Sequence, residues 1–188
     1  MKKYEGYEKT EAFTGEYETL EPGGYICKIF KVVAEDKDYG TLLRIGFDIA
    51  EGPHKDYFKR LFDKKKDSNP DVKWGGMYYQ TVKQDDLKYF KGFIVAIEQS
   101  NSGFKSDWDE QKLKGKLFGG VFGQEEFQAN DGSIKLSTKC RWIRSVEQIK
   151  KGVDIPEIKK LSGGNGGYVS GGSQGGYIPE PEDDDLPF

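Results

Sequence analysis

The segment 132–144, GSIKLSTKCRWIR, alternates between two kinds of side chain. One parity suits a buried strand face: Ile134, Leu136, Thr138, Cys140 and Trp142. The other parity is polar and basic: Lys135, Ser137, Lys139 and Arg141. Alternate positions of a strand lie about 6.7 Å apart, which matches the scale of a phosphate backbone. We therefore predict that Lys135, Lys139 and Arg141 bind nucleic-acid phosphates. The alternative is an ordinary solvated strand face.

The long connection 51–73 mixes aromatic and basic side chains. Single-stranded nucleic acid is held by cationic grooves whose aromatic rings stack on the bases, at about 1–3 kcal/mol per base. From this connection we predict four DNA-binding residues: Tyr57, Phe58, Lys59 and Arg60. The alternative is a short surface helix near Tyr57–Lys66 that packs Phe58, Leu61 and Phe62 inward and leaves its lysines in solvent.

The first three predicted strands complete the set of DNA-binding residues with two cations and two rings: Lys28, Arg44, Trp74 and Tyr78. Three glycines on the second and third strands would let a nucleic-acid strand approach the backbone closely: Gly46, Gly75 and Gly76. The alternative is that the rings belong to the core and the glycines mark bulges.

Signatures of catalysis are missing from the sequence. The single histidine, His54, stands beside a Gly-Pro pair, and no GxxxxGK[ST], GxSxG, HExxH or Cys/His zinc spacing appears. Paired acids such as Asp85-Asp86 are typical of turns and helix caps. We therefore expect no enzyme activity, no metal site and no cofactor. A nuclease whose carboxylates meet only in the folded chain is the remaining catalytic alternative.

The net charge of −3 conceals an uneven distribution of charge along the chain. Residues 1–21 hold six acids and three lysines, and residues 161–188 hold five acids and no basic residue. Residues 22–160 therefore carry 26 basic and 21 acidic residues, a surplus of +5. A basic middle between two acidic ends is compatible with a polyanionic partner.

Cysteine usage and hydropathy indicate the compartment. Cys27 and Cys140 lie far apart in apolar stretches, which is typical of buried free thiols in a reducing environment. No apolar run approaches the roughly 18 residues of a membrane span, and the N-terminus lacks the apolar core of a signal peptide. We expect a cytoplasmic protein with no membrane partner.

The periodicity of apolar residues predicts a mainly β domain. Strands are predicted at 23–33, 41–50, 74–83, 116–127 and 132–144. A helix is predicted at 85–101, where Leu87, Phe90, Ile94 and Ile97 fall at helical spacing. The order β-β-β-α-β-β, with one helix between strands three and four, favours a five-stranded OB-fold barrel.

The chain divides into four predicted parts. An acidic N-terminal extension covers 1–21, and the OB-fold domain covers 22–160. Residues 161–179 include SGGNGGYVSGGSQGG, a glycine-rich stretch that is typical of a flexible linker. Residues 180–188 form an acidic tip that ends in an apolar aromatic residue.

The tip ends in six residues that suit a protein-docking peptide: Asp183, Asp184, Asp185, Leu186, Pro187 and Phe188. Together with the linker and the predicted barrel, DDDLPF resembles the tail of the bacterial and phage single-stranded DNA-binding proteins, in which Ile is usual where this chain has Leu186. The match is specific over 183–188, architectural for the linker and topological for 22–145. The long N-terminus and the long connection 51–73 look more like a divergent phage or mobile-element version.

The resemblance implies a protein that binds single-stranded DNA (ssDNA) during replication, recombination or repair and recruits partner proteins through the tail. If a phage encodes it, the expected compartment is the cytoplasm of the bacterial host. Two alternatives stay open: an interaction adaptor without DNA binding, and a recombination mediator or annealing protein. Homo-oligomerisation is a further possibility, and nothing in the sequence distinguishes DNA from RNA as the ligand.

Overall fold

The computed structural model describes residues 4–5, 7–9, 18–66, 69–129 and 131–161. Five strands dominate it: β1 (Gly23–Lys37), β2 (Gly40–Ile49), β3 (Met77–Val82), β4 (Leu117–Gln128) and β5 (Ile134–Arg144). Three α-helices accompany them: α1 (Tyr57–Lys66), α2 (Leu87–Ser100) and α3 (Val146–Lys151). Two short 3₁₀ helices lie at Tyr7–Lys9 and Glu110–Leu113. The predicted order of five strands, with a helix between the third and fourth, is confirmed, and α3 is an addition to it.

The five strands form one antiparallel sheet in the order β3-β2-β1-β4-β5. The long strand β1 serves two neighbours, because residues 27–37 pair with β2 and residues 23–28 pair with β4. Among the described residues, no ladder joins the edge strands β3 and β5, so the sheet lacks the hydrogen bonds of a closed barrel. Side chains from both edges, Tyr78 of β3 and Cys140 of β5, nevertheless pack against the same core.

The core lies on one face of this sheet, which we call the inner face. Alternate residues of TLLRIGFDIA (41–50) are apolar, and the structure agrees with this pattern, since four side chains of β2 point into the core: Leu43, Ile45, Phe47 and Ile49. Phe47 is central, with its ring centroid 5.6 Å from that of Phe58, 5.4 Å from Phe118 and 6.0 Å from Phe122. Helix α2 contributes Phe93, Ala96 and Ile97, whereas Leu87, predicted as part of its apolar stripe, is 37% exposed. Across the described residues, no helix has the length and apolar character needed to cross a membrane.

Helix α1 begins beside β2 because a β2 carboxylate caps it. Asp48 accepts hydrogen bonds from the backbone N–H of Phe58 at 3.0 Å and of Lys59 at 2.9 Å. These are two of the N–H groups that a helix start leaves without an intrahelical partner. Burial raises the pKa of Asp48, and the hydrogen bonds from Phe58, Ile49 and Lys59 oppose that rise. The cap therefore fixes α1 across the end of β2.

The outer face of the sheet, turned away from the core, is covered on one half by the chain that follows β5. Helix α3 starts with a capping box in which Ser145 and Gln148 satisfy each other's backbone N–H groups. Its Ile149 packs over Gly24 and Gly119, so that a Cβ at Gly119 would lie 2.3 Å from Ile149 Cγ1. We call residues 152–161 the C-terminal strap. The strap packs Pro156 over Gly123 and pairs Lys159 with β4 through Lys159 N–Gln124 O and Glu126 N–Lys159 O.

Candidate nucleic-acid interface

Three aromatic rings gather on the outer face of the other half of the sheet, over β1 and β2. Phe30 and Trp74 meet edge to face with their centroids 4.9 Å apart, and Phe62 of α1 lies 5.6 Å from Trp74. We call Phe30, Phe62 and Trp74 the outer aromatic cluster. Phe30 is 39% exposed. The cluster therefore presents aromatic surface on the face opposite to the core.

The backbone beneath the cluster explains why the rings collect there. The register between β1 and β2 shifts between Ile29 and Lys31, so Phe30 is the extra residue of a β-bulge. Its ring lies over Gly46, where a Cβ would come within 3.0 Å of the Phe30 ring. The absence of a Cβ at Gly46 therefore makes room for a ring of the protein itself. That differs from the predicted role of this glycine in direct approach by DNA.

Trp74 is held by hydrogen bonding to β2, just before β3 begins to pair with that strand. Its indole Nε1 donates to the carbonyl of Phe47 at 3.1 Å, and Phe47 N donates to Gly76 O at 2.8 Å. A Cβ at Gly76 would lie 2.2 Å from Phe47 O and 2.8 Å from Trp74 Nε1, so only glycine permits this approach. The ring of Trp74 packs partly against the core. Its orientation is therefore fixed from below by a hydrogen bond.

Basic side chains surround the cluster. Lys66 Nζ lies 5.5 Å from the Phe62 ring centroid, a cation–π distance. Lys31 is paired in register with Gly46. Lys28, two residues before Phe30 on β1, is exposed. The combination of rings and cations is the chemistry that single-stranded nucleic acid requires.

Arg44 lies on this outer face, as predicted, but is only 6% exposed. Its Nη1 is 2.9 Å from Glu35 Oε1 on the neighbouring strand. Hydrogen bonds from Lys37 and Arg44 lower the pKa of Glu35. The pair lies between Val33 and Tyr79, which flank Arg44 in register on β1 and β3. Arg44 thus lies buried within the face, with its guanidinium held in an ion pair with Glu35.

Three predicted base-stacking residues lie in the core, and the structure does not support that role for them. Tyr57 and Phe58 are 6% and 7% exposed because the first turn of α1 packs into the core. Tyr78 shares the inward face with Ile45 and stacks on Phe93 at 6.4 Å. Burial raises the pKa of Tyr78, and the nearby Cys140 thiol adds to the rise. Tyr57 and Phe58 are therefore buried in the core, and Tyr78 is partly buried against it.

The two predicted cations of α1 form ion pairs with acidic side chains. Lys59 pairs with Asp63 one turn further along the helix. Arg60 binds both carboxylate oxygens of Glu18, at 2.9 and 3.1 Å, and His54 lies 3.3 Å from the same carboxylate. Burial would raise the pKa of Glu18, but the hydrogen bonds from Arg60 and His54 outweigh it and lower that pKa. Arg60 therefore fastens the segment before β1 to α1.

The predicted cation row of β5 lies on the covered half of the sheet. Lys135 pairs with Asp131 at 3.5 Å, and Lys139 pairs with Glu125 at 3.0 Å. Arg141 has no ladder partner, because the register shifts between Val121 and Phe122, and Arg141 Nη1 is buried without a hydrogen bond among the described residues. Lys135 remains exposed and Lys139 is half-buried, whereas Arg141 is partly buried, so the three cations do not form one open row.

The bulge also breaks the predicted alternation of β5. Ile143 enters the core where the alternation predicts Trp142. At the other end of the strand, Ile134 and Leu136 are 63% and 49% exposed because the β4–β5 hairpin extends beyond the core. The inward set predicted for this strand is therefore correct only for its middle part.

Phe30, Lys31, Phe62 and Lys66 are absent from the predicted DNA-binding residues. The sequence did contain a signal for the first two. In the run YICKIFKVV the buried residues are Cys27, Ile29 and Val32, a spacing of two and then three. A break in the period of two is typical of a bulge, which turns an extra side chain outward. Phe62 had no such signal, since its contact with Trp74 joins distant parts of the chain.

The docking residues predicted at 183–188 lie outside the residues that the structure describes. Within the described ranges, His, Cys, Asp and Glu side chains nowhere meet in groups of three that could hold a metal ion. Neither the protein-family models nor the curated proteins include a match to this chain.

Proposed function

We propose that this protein binds single-stranded DNA with little sequence preference on the outer face of β1, β2 and β3, using an OB-type scaffold. The observation that carries the proposal is the outer aromatic cluster of Phe30, Phe62 and Trp74, flanked by Lys31 and Lys66. Ring faces take any base, and the surrounding cations take phosphates, so the site has no chemistry that reads a particular sequence.

The geometry of the site favours a single strand over a duplex. A duplex hides the faces of its bases, whereas a single strand can lay them on rings held from beneath. Trp74 is held by its bond to Phe47 O, so little side-chain freedom is lost when a base stacks on it. Among the described helices, α1 and α2 both pack against the core. We therefore assign neither of them to a DNA groove.

Fluorescence anisotropy with a labelled oligo(dT) and a hairpin duplex of equal length tests the proposal. We expect tighter binding to oligo(dT), with log K falling by about 0.7 per neutralised phosphate as log salt rises. Phe30→Ala should weaken this binding, whereas Ile155→Ala should not, although Ile155 is 59% exposed on the strap. Stronger duplex binding, or an affinity that salt leaves unchanged, would contradict the proposal.

The tail supplies a second part of the proposed function, argued from sequence. Phe188 offers an aromatic ring, which suits an apolar pocket on a partner protein. The three aspartates before it attract basic partners over a distance. In this proposal the tail recruits replication, repair or recombination proteins to DNA that the domain has bound.

Removing 183–188 should abolish capture of such partners in a pull-down from bacterial lysate. Phe188→Ala should remove most of it, because the ring is the anchor. Both variants should bind ssDNA at least as tightly as the full chain, since lost carboxylates no longer compete with phosphates at low salt. Equal capture by all three proteins would show that the tail is no docking peptide. Capture without any ssDNA binding would favour the adaptor alternative.

A further inference from the structure

A second aromatic and basic site lies in the loop that links α2 to β4. Trp108 is 75% exposed, which makes it the most exposed tryptophan of the described residues. Its ring leans on Phe90 of α2, with the centroids 5.6 Å apart. The two rings are tilted by 41° to each other, and three quarters of Trp108 is open to solvent.

The backbone of Trp108 is strained. Its φ of 69° lies in the left-handed region, which bulky residues seldom adopt. Such outliers cost of order 1–3 kcal/mol and cluster at ligand clamps. A glycine or asparagine would relieve the strain at this position. An exposed tryptophan there needs a reason other than folding.

A shallow depression of about 420 Å³ is lined by residues of the same loop, among them Asp107, the residue directly before Trp108. Its lining includes three lysines and one aspartate: Lys105, Lys112, Lys116 and Asp107. Lys116 Nζ lies 4.5 Å above the Phe104 ring, Lys105 pairs with Glu98 at 3.0 Å, and Lys112 pairs with Asp107. The Lys112–Asp107 pair is exposed on both sides, and such pairs contribute about 0–1 kcal/mol, so a phosphate can replace it.

The depression adjoins the outer aromatic cluster through β1. Ile29 N donates to Lys116 O at 3.0 Å, and Gly115 N donates to Ile29 O at 2.7 Å. Lys116 is therefore bonded to the residue directly before Phe30. The depression therefore borders β1 at the bulge that carries Phe30.

We propose that the depression and Trp108 form a second contact site for the same DNA strand, in which Lys105, Lys112 and Lys116 bind phosphates and Trp108 stacks on a base. The inference rests on the proposed function and extends it. It predicts that short oligonucleotides occupy the outer aromatic cluster alone. Longer ones also occupy the Trp108 site.

The test compares oligo(dT) of about 5 and about 15 nucleotides, which span the usual range of site sizes for one OB fold. Trp108→Gly should weaken binding of the long oligonucleotide at least about fivefold and leave the short one within about twofold. The same variant should have an unchanged or higher Tm, because glycine accepts the positive φ. Trp108→Phe should restore part of the long-oligonucleotide affinity, since it keeps a ring.

The outcomes separate this inference from the proposed function. If wild-type protein binds neither oligonucleotide, the proposed function itself fails. If wild-type protein binds both and Trp108→Gly does so equally well, the second site is wrong and the first stands. Loss of self-association or of partner capture by Trp108→Gly, with DNA binding intact, would assign Trp108 to a protein interface and overturn the inference.

Discussion

The outer face of the sheet has two halves that differ in what covers them. Over β4 and β5, Ile149 and Pro156 pack onto Gly119 and Gly123, and the cations there pair with acids of the same domain. Over β1 and β2, the bulge at Phe30 turns an extra ring outward. The difference is that the fold uses one half of the outer face for its own packing, and the other half is the one that we propose for DNA binding.

The largest expected effect is a loss of stability when a glycine of the covered half is replaced by alanine. Gly119→Ala places a Cβ 2.3 Å from Ile149 and 2.8 Å from Ser145 O, and we expect it to lower the free energy of unfolding by about 1–3 kcal/mol or more. Gly46→Ala meets the Phe30 ring at 3.0 Å, and a ring can shift more easily than backbone. Urea denaturation measures the free energy of unfolding of each variant, and titration with oligo(dT) measures its affinity for DNA.

Gly46→Ala should therefore destabilise the domain less and weaken DNA binding more than Gly119→Ala does among molecules that remain folded. If Gly46→Ala left oligo(dT) affinity unchanged while shifting the ring of Phe30, the cluster would not be the site of stacking.

A smaller effect is expected from matched charge removals on the two halves. Lys31→Ala, beside the cluster, should weaken oligo(dT) binding several-fold and make the salt slope shallower by about 0.7. Lys139→Ala, which breaks the pair with Glu125, should leave the slope unchanged and alter stability by about 1 kcal/mol at most. A shallower slope for Lys139→Ala alone would restore the cation row of β5 as the phosphate site.

The smallest expected effect is a pH dependence of stability. The pKa of Glu35 is lowered from its ordinary 4.5 by hydrogen bonds from Lys37 and Arg44. Its contribution is therefore complete above pH 4.5 and is lost as the pH falls through the lower, folded-state value. Glu35→Gln should flatten the fall of Tm between pH 7 and 3.

Glu147→Gln on α3 serves as the control for that effect. Its partner Lys151 also lowers the pKa of Glu147, but both side chains are at least 70% exposed, so solvent screens the pair. We expect a smaller change than at Glu35. If the Tm of wild type and of Glu35→Gln fell identically between pH 7 and 3, the ion pair with Arg44 would add nothing to stability.

Sequence patterns predicted the elements better than the site. The period of two in β2 and the short helix Tyr57–Lys66 agree with the structure because each depends on local burial. For Phe58 the inward-packing alternative was correct, since its ring lies in the core. Phe62, expected to pack inward with it, instead contacts Trp74.

Other features of the site depend on contacts between distant residues. The cation row of β5 was read from alternation alone, and neither the bulge at Arg141 nor the strap that covers Gly123 leaves a mark in that segment. The cluster needs Phe30, Phe62 and Trp74 from three elements. None of the three contacts between these elements is visible in the local sequence pattern.

Tryptophan fluorescence tests the central claim most directly, because Trp74 and Trp142 lie on the two contrasted halves. Trp108→Phe with Trp142→Phe leaves Trp74 as the reporter, and Trp74→Phe with Trp108→Phe leaves Trp142. On titration with oligo(dT), we predict quenching of Trp74, since a base stacks on its ring, and little change at Trp142. Quenching of Trp142 with a silent Trp74 would place the DNA on β4 and β5 and contradict the account.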